Sequence, residues 1–312
     1  MRHRITLYLM AFATVSLWGA SFPLTKLALA WVGPTSIAFL RWTISAVALL
    51  AWLAKARRLG EVTRLVRKES VAVAWVGLSG VTLFYFLENL ALRFTTATNA
   101  GVLSNLTSVF MLLIGVIWLK ERLSGIEWAA MGVAFIGAAL VSQGAGNLTL
   151  ASSGLRGDLM MVVATFFAAI YSIGGKRLVA EVPPDVVLAA VASVGAAFLL
   201  PLTVWEVGGL GGLSALVRLP LEAWVALLPL GLGAGALANL WWLRILGSTS
   251  AARAGMTLFL IPLISTIVSV AALGEPLTPL IVAGGLLVVA GVALVERDRA
   301  QGVKRQAARG EA

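Results

Sequence analysis

Apolar residues fill this chain in blocks of about 20, the length that crosses a bilayer as a helix. Polar clusters separate ten such blocks, roughly 5–29, 34–54, 71–93, 98–119, 125–142, 158–179, 184–206, 222–243, 251–273 and 277–295. Helix signals mark several edges: Ser124 with Glu127 spells a capping box, Gly157-Asp158 offers an N-cap, and Thr278 sets a cap ahead of Pro279. The first block runs on from Ile5 to Leu24 without an A-x-A-type end, so it reads as a retained helix rather than a signal peptide. Two longer polar stretches, basic from Lys55 to Ser70 and Gly/Ser-rich from Gln143 to Gly157, lack the hydrophobic content for a core. Any chemistry therefore belongs among the helices.

Composition sharpens this picture. Charged residues make up 12% of the 312 positions, about half the usual share, which excludes a soluble globular enzyme and a disordered chain. The net charge of +10 invites a nucleic-acid partner, but its distribution gives another cause. Ten spans put both termini on one side, and if that side is the cytoplasm, only Arg93, Arg156 and Arg218 fall outside, with Lys26 and Arg41 left within helices or at their edges. The remaining lysines and arginines face inward, a strong positive-inside asymmetry. The expected partners are thus a lipid bilayer and a small-molecule substrate, not nucleic acid; monomer and homodimer both stay open. Trp31, Trp52, Trp75, Trp118, Trp128, Trp205 and Trp224 near block ends suit the interface. With no Cys and one histidine, His3, the chain has no means for thiol catalysis, disulfides, cysteine metal sites or histidine dyads. No catalytic residue, metal or cofactor is expected.

The two halves repeat. Lys26 to Pro34 aligns with Lys176 to Pro184 at a spacing of 150, while Ala100-Gly101 with Ala254-Gly255, Leu119 to Ser124 with Leu273 to Thr278, and Gly137 to Val141 with Gly291 to Val295 align at 154. Five helices per half is an odd number, so the second half must sit inverted, an architecture that places substrate near the midplane between repeats. The expected fold class is an all-α integral membrane protein of ten transmembrane helices in two inverted five-helix repeats: 1–142, a periplasmic linker at 143–157, 158–297, and a basic cytoplasmic tail at 298–312.

Leu17-Trp-Gly-Ala-Ser-Phe22 with Lys26, Phe39-Leu-Arg-Trp42, Ala91-Leu92 followed by Thr95 to Ala100, and the Glu-x-Leu-Ser/Thr motif at Glu121 and Glu275 together resemble EamA-type carriers of the drug/metabolite transporter superfamily. The resemblance covers essentially the whole chain. It implies a bacterial inner-membrane exporter of small metabolites, with amino acids, including aromatic ones, and lipophilic toxic compounds among the substrates. Pro262 in helix 9 has Ser108 at the aligned place in helix 4, so the halves need not bend alike.

Candidate substrate-binding residues follow from polarity or aromaticity at membrane depth. Glu88 is an acid in a membrane segment. Asn105 and Asn239 can bond a substrate or a neighbouring helix. Trp18, Tyr85, Tyr171 and Trp241 can contact an aromatic or cationic solute, whereas Trp42 and one of Trp241 and Trp242 are expected to pack or face lipid. Trp18 precedes Gly19 to Pro23, which can bend helix 1, and Ser21 corresponds to Tyr171 at the spacing of 150. Ala130, Ala134 and Ala138, and Gly231 with Gly235, read as helix-packing positions, and Glu121 and Glu275 as loop anchors on opposite faces. At 1.5 Å per residue, Arg41 lies about 10 Å and Glu88 about 7 Å below the outer face. They are expected to pair; the competing account has Arg41 snorkelling and Glu88 at a cavity mouth. A passive facilitator or channel stays open, and a membrane-embedded enzyme on a lipid-linked substrate would need acid or histidine clusters that the sequence lacks.

Overall fold

The computed structural model describes residues 2–118, 120, 123–144, 152–273 and 277–308, and every regular element among them is helical. The first half comprises α1 (Arg2–Ala28), α2 (Pro34–Lys55), α3 (Leu59–Lys68), α4 (Ser70–Gly77), α5 (Phe84–Ala91), α6 (Ala97–Leu103), α7 (Leu106–Ile117) and α8 (Gly125–Gly144). The second comprises α9 (Ser152–Val179), α10 (Pro184–Glu206), α11 (Leu213–Val217), α12 (Leu221–Leu228), α13 (Ala238–Ser248), α14 (Ala251–Thr257), α15 (Ile261–Leu273) and α16 (Pro279–Ala308). Six continuous helical stretches, Ile5–Ala28, Pro34–Lys55, Ser70–Ala91, Leu155–Val179, Pro184–Glu206 and Leu221–Ser248, are long and apolar enough to cross a membrane; shorter apolar helices lie at Leu106–Ile117, Gly125–Gly137, Ala254–Val268 and Pro279–Gly291.

Local signals set several boundaries. Ser124 and Glu127 exchange hydrogen bonds, Ser124 N donating to Glu127 Oε2 at 2.9 Å and Glu127 N to Ser124 Oγ at 3.1 Å, the reciprocal arrangement of a capping box. Pro34 and Pro184 open α2 and α10 at positions where a missing N–H costs nothing. Ile281 N donates to Thr278 Oγ1 at 3.4 Å. Gly157-Asp158 does not cap a helix, because α9 already begins at Ser152; Asp158 instead accepts a hydrogen bond from Thr95 Oγ1 at 2.9 Å. The region expected as linker, 143–157, is partly helical at both ends, and α16 runs past 298 to Ala308 because Ala, Arg, Glu and Gln favour helix once one is started. Glu121 and Glu275 lie outside the described residues.

The stretch from Lys55 to Ser70 holds α3, an amphipathic helix that buries Val62 and Leu65 and packs on α10. Its apolar stripe is too thin for a core but enough to seat one helix. Arg58 donates to Glu61 at 2.8 Å and to Asp185 at 2.7 Å, tying this segment to the start of α10 and holding the Glu61 carboxyl below its ordinary range. At the far end of α10, Glu206 accepts from Thr35 N at 3.0 Å and Ser36 N at 2.8 Å in the first turn of α2, supplying the cap that Gly33 cannot.

Packing is most extensive between α8 and α16, where Gly291 lies against Ala130 and Ala134, and between α2 and α10. Gly231 and Gly235 let the 229–237 segment approach Ile44 and Ser45 of α2, and Ser45 Oγ donates to Gly231 O at 2.8 Å. These small residues serve close approach of helices.

The sequence pattern gives no sign of four interruptions. Leu78–Leu83 and Pro229–Leu237 are π-helical, and the helical rods at 97–117 and 251–273 are broken at Ser104–Asn105 and by a 3-10 turn at Leu258–Leu260. A π segment rotates the residues that follow it relative to a regular helix. Three of these interruptions contribute residues to one space, and the fourth, Pro229–Leu237, is hydrogen-bonded by side chains that line it.

Candidate functional site

That space is a central cavity of about 60 Å³, and its lining is mainly apolar. Trp18, Ser21 and Phe22 reach it from α1, Arg41 from α2, and Gly80, Phe84, Tyr85 and Glu88 from the first π segment and α5. Ser104 comes from the break between α6 and α7 and Thr107 from the first turn of α7, Ala168, Tyr171 and Ser172 from α9, Asn239 and Trp242 from α13, Leu258 from the 3-10 turn and Ile261 from the start of α15. All but Arg41, Gly80 and Phe84 fall into pairs at the repeat spacing. Trp18 matches Ala168, Ser21 matches Tyr171, and Phe22 matches Ser172 at 150; Tyr85 matches Asn239, Glu88 matches Trp242, Ser104 matches Leu258, and Thr107 matches Ile261 at 154.

The second π segment is held by its own cavity side chains. Widening the helix leaves carbonyls short of N–H partners, and Asn239 Nδ2 donates to Ala234 O and Gly235 O at 2.9 Å each, while Trp18 Nε1 donates to Ala234 O at 3.1 Å. Asn239 Oδ1 accepts from Tyr171 Oη at 3.1 Å. Both ends of the Asn239 amide are thus committed, and its place in the cavity is to position Tyr171 and the π segment. Gly80 lies directly under the Tyr171 ring, with no room for a Cβ. Trp18 and Trp242 meet edge to face with ring centroids 5.4 Å apart, and Trp242 Nε1 donates to Ser172 Oγ at 3.1 Å.

Of the residues singled out in the sequence, Trp18, Ser21, Tyr85, Glu88, Tyr171 and Asn239 come together here. Trp241 and Asn105 do not line the cavity. At about 100° per residue, Trp242 shares a face with Asn239 three positions earlier, and Trp241 points elsewhere. Asn105 sits at the helix break, 1% exposed, with neither amide atom hydrogen-bonded among the described residues. The sequence reading missed Trp242 and Arg41. The i, i+3 spacing from Asn239 could have found the first.

Arg41 and Glu88, expected to pair, share the cavity without forming a direct ion pair within 4.0 Å. Arg41 does not snorkel either, being 1% exposed. Its Nη2 donates to Tyr85 Oη at 3.3 Å and its guanidinium carbon lies 4.2 Å from the centre of the Tyr85 ring. Trp42 is fully buried and packs edge to face on the same ring at 5.2 Å. Lys26, near the end of α1, is hydrogen-bonded, donating to Leu92 O at 2.5 Å and Thr95 O at 2.7 Å; Lys176, its counterpart at 150, donates to Thr249 O at 2.8 Å. Thr95 and Thr249 are themselves 154 apart. Among the described residues no group of three or more His, Cys, Asp or Glu is assembled.

Similarity to known proteins agrees with a membrane cavity of this kind. The model of the EamA-like transporter family matches residues 5–143 and again 155–297. The chain is 28% identical over 294 residues, 94% of its length and 98% of the other's, to an "Uncharacterized transporter" of Archaeoglobus fulgidus. It is 28% identical, over 94% of both chains, to a "Probable terminal-alkyne amino-acid exporter" of Streptantibioticus cattleyicolor. A crystal structure of 22% identity has the same fold, with a TM-score of 0.73 over 93% of this chain and 96% of that one.

Proposed function

The chain belongs to the EamA-like transporter family, and from that premise we propose that it exports small amphipathic metabolites, amino acids foremost, by alternating access around the central cavity. Members of this family are transporters, so a small-molecule substrate and a lipid bilayer follow directly. The finer reading has ten helices in two inverted repeats, residues 1–142 and 158–297, joined at 143–157 on the periplasmic side. Both termini and the basic end at 298–312 then face the cytoplasm, and the bacterial inner membrane is its location.

The observation that carries this reading is the pairing of cavity residues at the repeat spacing. Equivalent positions from two units can surround one space when an axis passes through it. Helix packing supports the same exchange: α1 packs on α15 as α9 packs on α7, α1 on α13 as α9 on α5, and α10 on the first π segment as α2 on the 229–237 segment. Two equivalent units that move as bodies about the site they share give access from alternate faces. The amphipathic lining, rings with a few polar groups, suits a small solute with an apolar part, and the exporter from Streptantibioticus cattleyicolor supports the amino-acid class.

Uptake of labelled phenylalanine into proteoliposomes, with and without a pH gradient, tests the function. A carrier concentrates label against its gradient or exchanges it for preloaded phenylalanine, whereas equilibration insensitive to preloading indicates a channel. The topology has its own test, for which the Cys-free chain is a ready background. Gly60 and Gly211 are exposed, with nothing within 4 Å of where a Cβ would stand. Gly211→Cys should react with an impermeant maleimide on intact cells and Gly60→Cys only after permeabilisation; the reverse, or reaction of both from outside, contradicts the topology.

A further inference from the structure

Arg41 is a cation inside the apolar body with much of its hydrogen-bonding capacity unused. A guanidinium carries five N–H donors, and here Nε and Nη1 have no acceptor among the described residues. The one side-chain bond, from Nη2 to Tyr85 Oη, is long at 3.3 Å. A buried charge is normally paired and hydrogen-bonded, because desolvation is otherwise uncompensated. Two intramolecular ways to meet that need are unused: the side chain does not reach the surface, and among the described residues no carboxylate stands within 4.0 Å. What remains is the space that Arg41 lines.

We infer that Arg41 is the anchor for a carboxylate on the transported solute, a conclusion that rests on the carrier reading above. A planar, permanently charged guanidinium is the side chain best matched to a carboxylate. The acid in the same cavity narrows the ligand further. Glu88 lines the same space beyond ion-pair distance of Arg41 and repels a second anion, so a phosphate or sulfate that satisfied Arg41 would be set against it. A zwitterion meets both charges, its carboxylate on Arg41 and its ammonium on Glu88. Tyr85 is a positioning residue: its ring lies against the guanidinium, and Trp42 braces that ring edge to face.

The repeat gives this anchor a direction. At a spacing of 150 the counterpart of Arg41 is Val191, and at 154 the counterpart of Glu88 is Trp242. The charged pair therefore belongs to the first half alone, and the solute binds in one sense, with its head toward Arg41 and Glu88 and its apolar side chain toward Trp242 and Ile261.

Binding to the purified full chain in detergent tests this, with L-phenylalanine, 3-phenylpropionate and 2-phenylethylamine as probes and inorganic phosphate as competitor. The wild-type protein should bind phenylalanine about tenfold or more tightly than 2-phenylethylamine, which lacks the carboxylate, and phosphate should not compete. Arg41→Gln should weaken both carboxylates about ten- to a hundredfold while leaving 2-phenylethylamine unchanged or bound more tightly. The wild-type ranking decides the matter without a mutant should Arg41→Gln fail to fold. Equal affinity for the amine, full competition by phosphate, or carboxylate binding indifferent to Arg41→Gln overturns the anchor and leaves the carrier standing. If the wild type binds none of the three probes and transports none, the amino-acid class falls and takes the anchor with it.

Discussion

Gly291→Leu is expected to cost the protein most of its folded yield, while Gly132→Leu on the partner helix should be silent. A Cβ on Gly291 would stand 2.6 Å from Ala130 O and 2.9 Å from both Ala134 N and Ala134 Cβ. Two of these obstacles are backbone atoms, which cannot swing aside as a side-chain tip does. Its counterpart at 154, Gly137, meets Gly284 O at 2.6 Å and Val288 N at 2.7 Å, so α8 and α16 touch backbone to backbone at two equivalent places. Overpacking a tight core costs about 1–3 kcal/mol, and a leucine against a main chain belongs at the upper end or beyond. Gly132 lies on the exposed side of α8 with nothing within 4 Å of its Cβ site. Thermal unfolding in detergent should rank Gly132→Leu with wild type, then Gly291→Ala, then Gly291→Leu. Equal melting of Gly291→Leu and Gly132→Leu would mean that this interface does not hold the helices together.

Glu88→Gln should separate stability from activity. The carboxyl is 3% exposed and joins no ion pair among the described residues, so the fold spends desolvation on it without visible return. An amide of the same shape removes that penalty, and the variant should melt at the wild-type temperature or above it, stabilised by about 1 kcal/mol. Transport should fall about tenfold or more if the carboxylate meets the ammonium of the solute, since a hydrogen bond to a charged group is worth about 1.5–3 kcal/mol. The opposite pattern, lower melting with transport intact, would return Glu88 to a structural role as a partner of Arg41.

Hydropathy blocks and caps were readable in the sequence because each depends on residues near one another: Ser124 and Glu127 are three apart, and Pro34 and Pro184 act on their own helix starts. The repeat spacing was readable as well, and with it the link between Ser21 and Tyr171. Long-range bonds were not. Nothing near Glu206 shows that its carboxylate caps α2 some 170 positions earlier, and nothing near Asn239 announces a π segment whose carbonyls it must satisfy. Which of Trp241 and Trp242 faces the cavity was legible from the three-residue spacing to Asn239, because both lie in the regular helix α13. Arg41 and Glu88 were paired by depth, and depth alone does not fix the angle around a helix. The structure gives Arg41 a tyrosine and leaves Glu88 to the cavity.

A single cysteine at Ser104 tests the central claim, that one central cavity receives solute from alternate faces. Ser104 lines the cavity, is 6% exposed, and spends its hydroxyl only on Gly101 O of its own helix, so Ser104→Cys should be tolerated. In proteoliposomes of known orientation, a small impermeant thiol reagent applied to either face should label this cysteine, and phenylalanine should slow labelling from both. Labelling from one face alone, or labelling from both that phenylalanine leaves unchanged, would contradict the account.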